Sequence, residues 1–347
     1  MNKDSIGRFL IDYENPDAGI GHSMGHINNA YKTSLRNNLQ FAFTNKQLRK
    51  STQFDWQWKL QKIRRLITGR KPRETHNLGD SINELFGFDA HSPKTRDEVE
   101  GLIRKRGLKV IQLPKPIIEI PSNLQNDDVV YKDIDEVISN HPEDGIVFVL
   151  PKKRTGDFEY ASSRNWLNQC YSNARILHPL NLSYQNDVLS IAVHIRRGDL
   201  LPGREYSDLA NRMLPDSWYI SIIETILNAS TKKISLVLIS EGVNGQYRSE
   251  YGEVFSWTKR FQSNRVKVIE MIDAPFNESF HHMKSSKILI GSKSGMSHLA
   301  GILNEGIKIM PKMWHSYRGT NLAIEIEDNE LEPKLVEVQK MLLSNLI

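Results

Sequence analysis

The sequence predicts an α/β fold in two domains, each built on an open and mainly parallel sheet. Six short β-rich apolar runs are bounded by Gly, Pro, Asp or Ser, which is typical of strands buried on both faces. These runs are 107–114, 144–151, 189–195, 234–240, 266–272 and 287–292. Helix-like segments alternate with them, as right-handed βαβ crossovers require; they are 95–106, 160–177, 215–230, 278–286 and 296–304. A chain of 347 residues is also long for a single core.

The stretch HPLNLSYQND, residues 178–187, reads as a link between the two halves. It divides the chain into an N-terminal domain, 1–185, and a C-terminal domain, 186–347. The strands of the second half form a compact series from about residue 188 to 312, whereas the first half is less regular. In sheets of this kind, ligands bind beyond the carboxyl ends of the strands, and in two-domain forms they bind in the cleft between the domains.

Composition limits the classes of partner and site. The formal net charge of +5 favours anionic partners, which leaves nucleic acid, a phosphorylated small molecule and an acidic membrane surface open. The single cysteine, Cys170, excludes an intramolecular disulfide and argues against a zinc site built on thiolates, so we expect a small buried side chain. The sequence has neither a secretory signal at its start nor a window of ~18 apolar residues. We therefore expect a cytoplasmic protein, or a domain of a longer chain.

The stretch VHIRRGD gathers charge at the end of an apolar strand. His194 is followed by Arg196 and Arg197, and then by Gly198 and Asp199. An arginine side chain offers a fixed fork of donors that suits phosphate oxygens. Consecutive residues at a strand end point in opposite directions, so one arginine can face the cleft while the other packs against Asp199 or a neighbouring loop. A surface cluster of ion pairs is the alternative interpretation.

This stretch resembles the H-x-R-R-x-D signature of the fucosyltransferase superfamily that uses GDP-fucose, which includes α1,2-, α1,6- and protein O-fucosyltransferases. AGIGHSMGHINNAY, 18–31, is similar to the family's early G-x-G-N-x-M loop, with His22 in place of the asparagine. KILIGSKSGMSHLAGIL, 287–303, is similar to its late S-x-S-x-S-x-W segment, although His298 and Leu299 replace the aromatic pair.

The resemblance implies two Rossmann-like domains facing across a cleft, the GT-B arrangement, with the donor held mainly by the C-terminal domain. It implies an inverting glycosyltransferase that transfers fucose from GDP-fucose to a hydroxyl of an oligosaccharide or glycoconjugate acceptor. We find no D-x-D after a strand in the second half, and arginines with helix-start amides can stabilise a leaving diphosphate, so we predict a metal-independent reaction without a cofactor beyond the nucleotide sugar. The arginine pair and the glycine loop recognise a diphosphate rather than a sugar, so another UDP- or GDP-linked donor remains an alternative.

Individual roles follow from these motifs. We expect Arg197, and after it Arg196, to bind the diphosphate, while His194 and Asp199 shape the donor pocket. Gly21, His22 and Gly25 would line the facing wall. Hydroxyls and amides of the late segment would hold phosphate or ribose, and a weaker match at LVLISEG, 236–242, would approach the nucleoside; the side chains in these two segments are Ser292, Ser294, Ser297, Ser240 and Glu241. Lys312 would add positive charge.

The general base is open. A carboxylate or a histidine must come within hydrogen-bond distance of the acceptor hydroxyl, and the candidates are Asp17, His22, His26, Asp199, Glu205 and Asp208. We rank His22 and Asp199 first because their motifs face the predicted cleft, and a reaction without a dedicated base is a further possibility. His281 and His282 are adjacent on a predicted helix, where they diverge, so we do not expect a metal pair there.

The insertion FDWQWKLQKIRRLITGRKPR, 54–73, combines tryptophans with basic residues and an apolar helical spacing. A helix packed on its own domain is the first interpretation; peripheral contact with an anionic membrane and stacking on an acceptor sugar are the alternatives. The rival class is a non-enzymatic nucleic-acid-binding protein, supported by the basic charge. No recognised nucleic-acid-binding motif is present and the other basic residues are dispersed, so we expect no nucleic-acid partner.

Overall fold

The computed structural model of the chain describes nine stretches, which are residues 7–12, 20–43, 78–88, 94–115, 132–151, 159–184, 187–203, 207–313 and 316–346. The chain divides into two compact units. One takes Met1–Asp157 and Gln169–His178, and the other takes Phe158–Asn168 and Pro179–Ile347. Each unit contains a parallel sheet with helices between its strands, so the predicted α/β class is confirmed. The predicted cleft concerns how the units face each other and stays a prediction.

The first unit contains a five-stranded sheet whose paired strands are all parallel. Its spatial order is β3-β2-β1-β5-β4, for strands β1 (Phe9–Ile11), β2 (Gln40–Phe43), β3 (Lys94–Thr95), β4 (Lys109–Gln112) and β5 (Ile146–Val149). The described helices are α1 (Ile20–Arg36), α2 (Leu78–Phe86), α3 (Arg96–Arg106), α4 (Lys132–Ser139) and the second part of α5 (Arg164–Leu177). Local chemistry explains the bounds of α3: Thr95 and Glu98 form a capping box, and Gly107 ends the helix at φ 67°.

The second unit contains a six-stranded sheet, again with every pairing parallel. Its strands are β6 (Leu189–Ile195), β7 (Ile234–Ser240), β8 (Val266–Ile272), β9 (Ile288–Ile290), β10 (Ile307–Pro311) and β11 (Ala323–Ile326). Its helices are α6 (Asp216–Ala229), α7 (Trp257–Phe261), α8 (Phe276–Ser285), α9 (Gly295–Leu303) and α10 (Leu331–Leu346), with 3₁₀ turns at Gly198–Leu200 and Ser207–Arg212. All seven residues of β6 and all seven of β7 are buried, as the continuous apolar runs predict.

The strand order of the second sheet is β11-β10-β9-β6-β7-β8. The chain builds β6, β7 and β8 toward one edge, then returns to pair β9 with β6 and builds β10 and β11 toward the other edge. This is the doubly wound order of Rossmann folds, and its direction reverses between β6 and β9. Because parallel strands end at the same edge, the residues after β6 and after β9 meet at the reversal, where open α/β sheets bind their ligands. Among the described helices, none combines the length and the apolar character needed to cross a bilayer.

A buried asparagine joins α8 to the turn before β10. The Asn304 side chain has no exposed surface. Its amide nitrogen lies 2.9 Å from the carbonyl oxygens of Met283, Lys284 and Ser286, and its oxygen accepts from the Gly306 amide at 2.7 Å. The two hydrogens of the Asn304 amide are therefore shared among three carbonyls, and its oxygen accepts from one backbone N–H.

Asn304→Asp should destabilise the protein by about 3 kcal/mol or more, because a carboxylate has no hydrogen to give the three carbonyls. Equilibrium unfolding in urea measures this loss. Asn345→Asp is the matched control: Asn345 is exposed on α10 and its amide donates to one carbonyl, that of Met341. We expect the control to change the unfolding free energy by less than about 0.5 kcal/mol. Equal effects of the two substitutions would contradict the structural role of Asn304.

Candidate functional site

Three predicted site residues meet where β6 and β9 end. His194 Nδ1 lies 2.5 Å from Ser297 Oγ and 3.1 Å from Ser292 Oγ. The Ser292 amide donates to Ser297 Oγ at 3.0 Å, and the two serine hydroxyls are 3.1 Å apart. His194 is 103 residues from Ser297 in the chain, so the β6–β9 pairing makes this cluster. The separate motifs of the two strands therefore form one site.

Burial keeps the imidazole of His194 neutral. The side chain is 8 % exposed, and burial, with the nearby charge of Arg196, lowers its pKa from 6.5 to about 4. Each serine hydroxyl beside Nδ1 can donate to it, and when one does, the neutral ring carries its hydrogen on Nε2. In that tautomer, His194 has an N–H donor available on the side of the ring away from the serines.

The start of α9 lies beside this cluster. Ser294 is the N-cap of the helix, and its hydroxyl accepts from the Met296 amide at 3.2 Å. The first turn of a helix carries amide groups without helical partners and a partial positive charge, both of which favour anions. The carboxyl end of β9 thus presents hydroxyl and amide groups to the same edge of the sheet.

Arg196 extends from β6 toward β9. Its guanidinium donates to the Lys293 carbonyl at 3.3 Å, and the side chain is partly exposed. Lys293 was missed by the motif reasoning, although it lies between two of the predicted serines. Its ammonium group pairs with Asp328 at 2.6 Å, and the carboxylate of that pair is 61 % exposed. Two cationic side chains therefore flank the point where the strand order reverses.

Arg197 lies elsewhere than expected. Its side chain has no exposed surface, and its guanidinium pairs with Asp216 at 2.5 Å. It also donates to the carbonyls of Leu214 at 2.9 Å and of Arg196 at 3.0 Å. Both terminal nitrogens of Arg197 are hydrogen-bonded to protein acceptors, so a phosphate could reach them only if the buried ion pair opened. Arg197 is thus buried and Arg196 is partly exposed, and the role of each at a ligand stays a prediction.

The ends of β6 and β7 are also joined. The Ser240 hydroxyl donates to the Ile195 carbonyl at 2.7 Å. This side chain, which was predicted to bind the nucleotide sugar, thus joins the end of β7 to the end of β6. Gly198 has φ +46°, and a Cβ there would lie 2.0 Å from Glu241 Oε2. The turn after β6 therefore requires glycine, both for its left-handed backbone and for its contact with the Glu241 side chain.

The early glycine motif has a different local structure from the one predicted. Gly21 and Gly25 lie within α1 and not in a tight turn, since the helix begins at Ile20. Met24, Ile27 and Ala30 are buried along one face of this helix, and their packing outweighs the low helix propensity of glycine. His26 is buried on α1 as well.

Several other predicted groups fall outside the described part of the chain. These are Asp17, Glu205, the insertion 54–73, and the side chains of His22, Asp199 and Asp208. Their roles stay predictions.

The remaining predicted residues have local explanations. Lys312 pairs with Glu327 at 2.5 Å in an exposed ion pair. Cys170 is 1 % exposed, as expected, and burial raises the pKa of its thiol to about 12. His282 is held by the Ser183 amide on one ring nitrogen and the Glu278 carbonyl on the other. Within the described stretches, no group of three His, Cys, Asp or Glu side chains is arranged to hold a metal ion.

Comparison with known proteins finds no matching family model and no matching curated sequence. Among solved structures, the apo-form of POFUT1 is 12% identical with a TM-score of 0.46, over 86% of this chain and 95% of that one. E. coli heptosyltransferase WaaC with ADP-2-deoxy-2-fluoro heptose is 10% identical with a TM-score of 0.39, over 98% and 100%. A glycosyl transferase of family 9 from Veillonella parvula is 12% identical with a TM-score of 0.39, over 93% and 86%.

Acidification should destabilise the protein through His194. The folded pKa of about 4 lies below the ordinary 6.5, so between these values the unfolded chain binds a proton that the folded chain does not. The contribution is complete above pH 6.5 and is lost as the pH falls to 4, with an upper size of about 3 kcal/mol. Urea unfolding across this window should show a steeper loss for the wild type than for His194→Asn, whose amide accepts from the serines but does not titrate. Parallel pH profiles of the two proteins would contradict a neutral His194.

Proposed function

We propose that this protein is a glycosyltransferase that binds the diphosphate of a nucleotide sugar at the carboxyl edge of the second sheet. The observation that carries the proposal is the meeting of Arg196, neutral His194 and the first turn of α9 at the reversal of strand order. A guanidinium, an imidazole N–H, the Ser294 hydroxyl and helix-start amides can all donate, and a diphosphate is a ligand that only accepts.

The chemistry of sugar transfer fits this set of groups. Cleavage of the bond between the anomeric carbon and the diphosphate leaves positive charge on the sugar and negative charge on the leaving oxygen. Donors held in place before the reaction stabilise the leaving group without reorganisation. Arg196 would neutralise the departing diphosphate, and the amides of α9 would bind its other oxygens. The acceptor hydroxyl then attacks from the opposite face, which inverts the anomeric centre, and its proton leaves to a base or to solvent.

We propose GDP-fucose as the donor. We also propose that the transfer does not require a metal ion. The support for fucose is the resemblance of VHIRRGD and of the serine-rich segment to the fucosyltransferase signature. The protein groups that would bind the diphosphate do not recognise the base or the sugar. UDP and ADP are therefore tested beside GDP. For the acceptor side, Asp199 and His22 remain the proposed candidates for the base, and a glycan hydroxyl is the proposed nucleophile.

A calorimetric screen of the full chain against GDP, UDP and ADP tests this function. We expect one diphosphate to bind, and Arg196→Gln to weaken it by roughly 10- to 100-fold, because a charge-assisted contact is lost. Arg260→Gln is the control, since Arg260 forms an exposed ion pair with Glu224, and it should leave the affinity unchanged. Binding of an oligonucleotide with a steep salt dependence, and of none of the diphosphates or sugar nucleotides, would instead support a nucleic-acid-binding protein.

Removal of the Asp328 carboxylate should strengthen diphosphate binding, whereas Arg196→Gln should weaken it. The carboxylate pairs with Lys293 beside the proposed diphosphate site, so it competes with an anionic ligand for that ammonium group. An exposed pair is worth up to about 1 kcal/mol, and Asp328→Asn should therefore strengthen diphosphate binding by as much as about fivefold. The same calorimetric titration measures this gain in diphosphate affinity. The gain should be absent when Asp328→Asn is combined with Lys293→Met. A weaker affinity in Asp328→Asn would refute a role for Lys293 at the ligand.

A further inference from the structure

The buried ion pair of Arg197 links the proposed ligand contact to two distant segments. Arg197 follows β6, Asp216 begins α6, and Tyr247 and Glu250 lie in the loop after β7. Besides its contact with Arg197, Asp216 accepts from the Tyr247 hydroxyl, and its backbone amide donates to Glu250 Oε2 at 3.1 Å. Glu250 Oε2 is also 3.6 Å from the Arg197 guanidinium. Two separate segments therefore hold the guanidinium of a residue that follows β6.

The Arg197 guanidinium also forms a hydrogen bond with the backbone of the preceding residue, Arg196. One terminal nitrogen of Arg197 donates to the Arg196 carbonyl at 3.0 Å, while the other contacts Asp216 and the Leu214 carbonyl. The peptide between Arg196 and Arg197 is thus tied to the start of α6. Because the side chain of Arg196 leaves from this peptide, its direction toward β9 depends on that tie.

Charge balance adds a second reason for the pair. Two neighbouring guanidinium groups repel each other, and a buried one without a partner is costly. Asp216 and Glu250 provide the negative charge that balances Arg197 within the protein. Burial raises the pKa of the Tyr247 hydroxyl, so Tyr247 keeps its hydrogen and donates it to Asp216.

We propose that Asp216 and Tyr247 are positioning residues for diphosphate binding, which act through Arg197 on the direction of Arg196. This inference rests on the proposed function. Neither residue carries a sequence motif, and neither contacts the groups that would meet the ligand. If Asp216 loses its charge, the Arg197 guanidinium is left without its nearest anion, the Arg196 carbonyl loses its donor, and the Arg196 side chain no longer points at the diphosphate.

The test compares GDP with GMP by calorimetry, with ADP/AMP and UDP/UMP in parallel. The ratio of diphosphate to monophosphate affinity isolates the phosphate contact, which a general loss of structure would not change selectively. We expect Asp216→Asn to lower this ratio at least about fivefold while the affinity for the monophosphate stays within about twofold. Tyr247→Phe should lower it in the same direction by less. Glu224→Gln is the control, because Glu224 lies on the same helix in an exposed pair with Arg260, and it should leave the ratio unchanged.

A double-mutant cycle identifies the route of the effect. If Asp216 acts through Arg196, the Arg196→Gln, Asp216→Asn double variant should bind the diphosphate no more than about twofold weaker than Arg196→Gln alone. Losses that multiply, or a ratio that is unchanged in both Asp216→Asn and Tyr247→Phe, would overturn the inference. If Asp216→Asn does not fold, Tyr247→Phe takes its place in the same cycle. A wild type that binds none of the three diphosphates would defeat the proposed function and this inference with it, whereas a wild type that binds with unchanged ratios in the variants defeats the inference alone.

Discussion

The pairing of β6 with β9 is the constraint on which the rest of the site depends. Their register sets Val193 opposite Ile290, so the residues that follow each strand must leave the sheet side by side. Neither strand end has a binding surface alone: β6 supplies an imidazole and a guanidinium, and β9 supplies hydroxyls and the start of a helix. The reversal of strand order creates the space between them, because the crossover helices on either side of it lie on opposite faces of the sheet.

Arg196 and Arg197 are neighbours with identical side chains, but their surroundings differ. Consecutive positions at a strand end point to opposite sides. The side toward α6 holds Asp216 and Glu250 and is closed to water, so Arg197 is neutralised there. The side toward β9 offers Arg196 a backbone carbonyl, that of Lys293, and leaves its side chain partly exposed. Under the proposed function, a phosphate would compete with this carbonyl for the Arg196 guanidinium, because charge-assisted hydrogen bonds are the stronger ones.

The sequence predicts those parts of the molecule whose signal is local. The seven-residue strands β6 and β7 are mainly apolar runs, and β8 is an apolar run interrupted by Lys267 and Glu270. The late serine segment follows from its order after a strand and before a helix. Strands of two to four residues, such as β1 and β3, are too short to show a period. The partners of Arg197 could not be read at all, because an acidic residue at a helix start has many possible roles until the sheet brings it to β6. Gly21 and Gly25 lie in a helix although glycine has a low helix propensity, because burial of α1 along residues 23–30 outweighs that propensity.

The electrostatic design of the edge follows from these placements. His194 contributes a donor without a charge, since burial holds it neutral at physiological pH. Lys293 is balanced by an exposed carboxylate, and Arg197 by buried ones. Under the proposed function, a diphosphate would meet the Arg196 guanidinium together with neutral donors, and it would gain Lys293 as a second cation by displacing Asp328, which water can resolvate at small cost. On this proposal, the site would bind an anion by exchanging ion-pair partners at its exposed rim, while the buried pair of Arg197 with Asp216 stays intact.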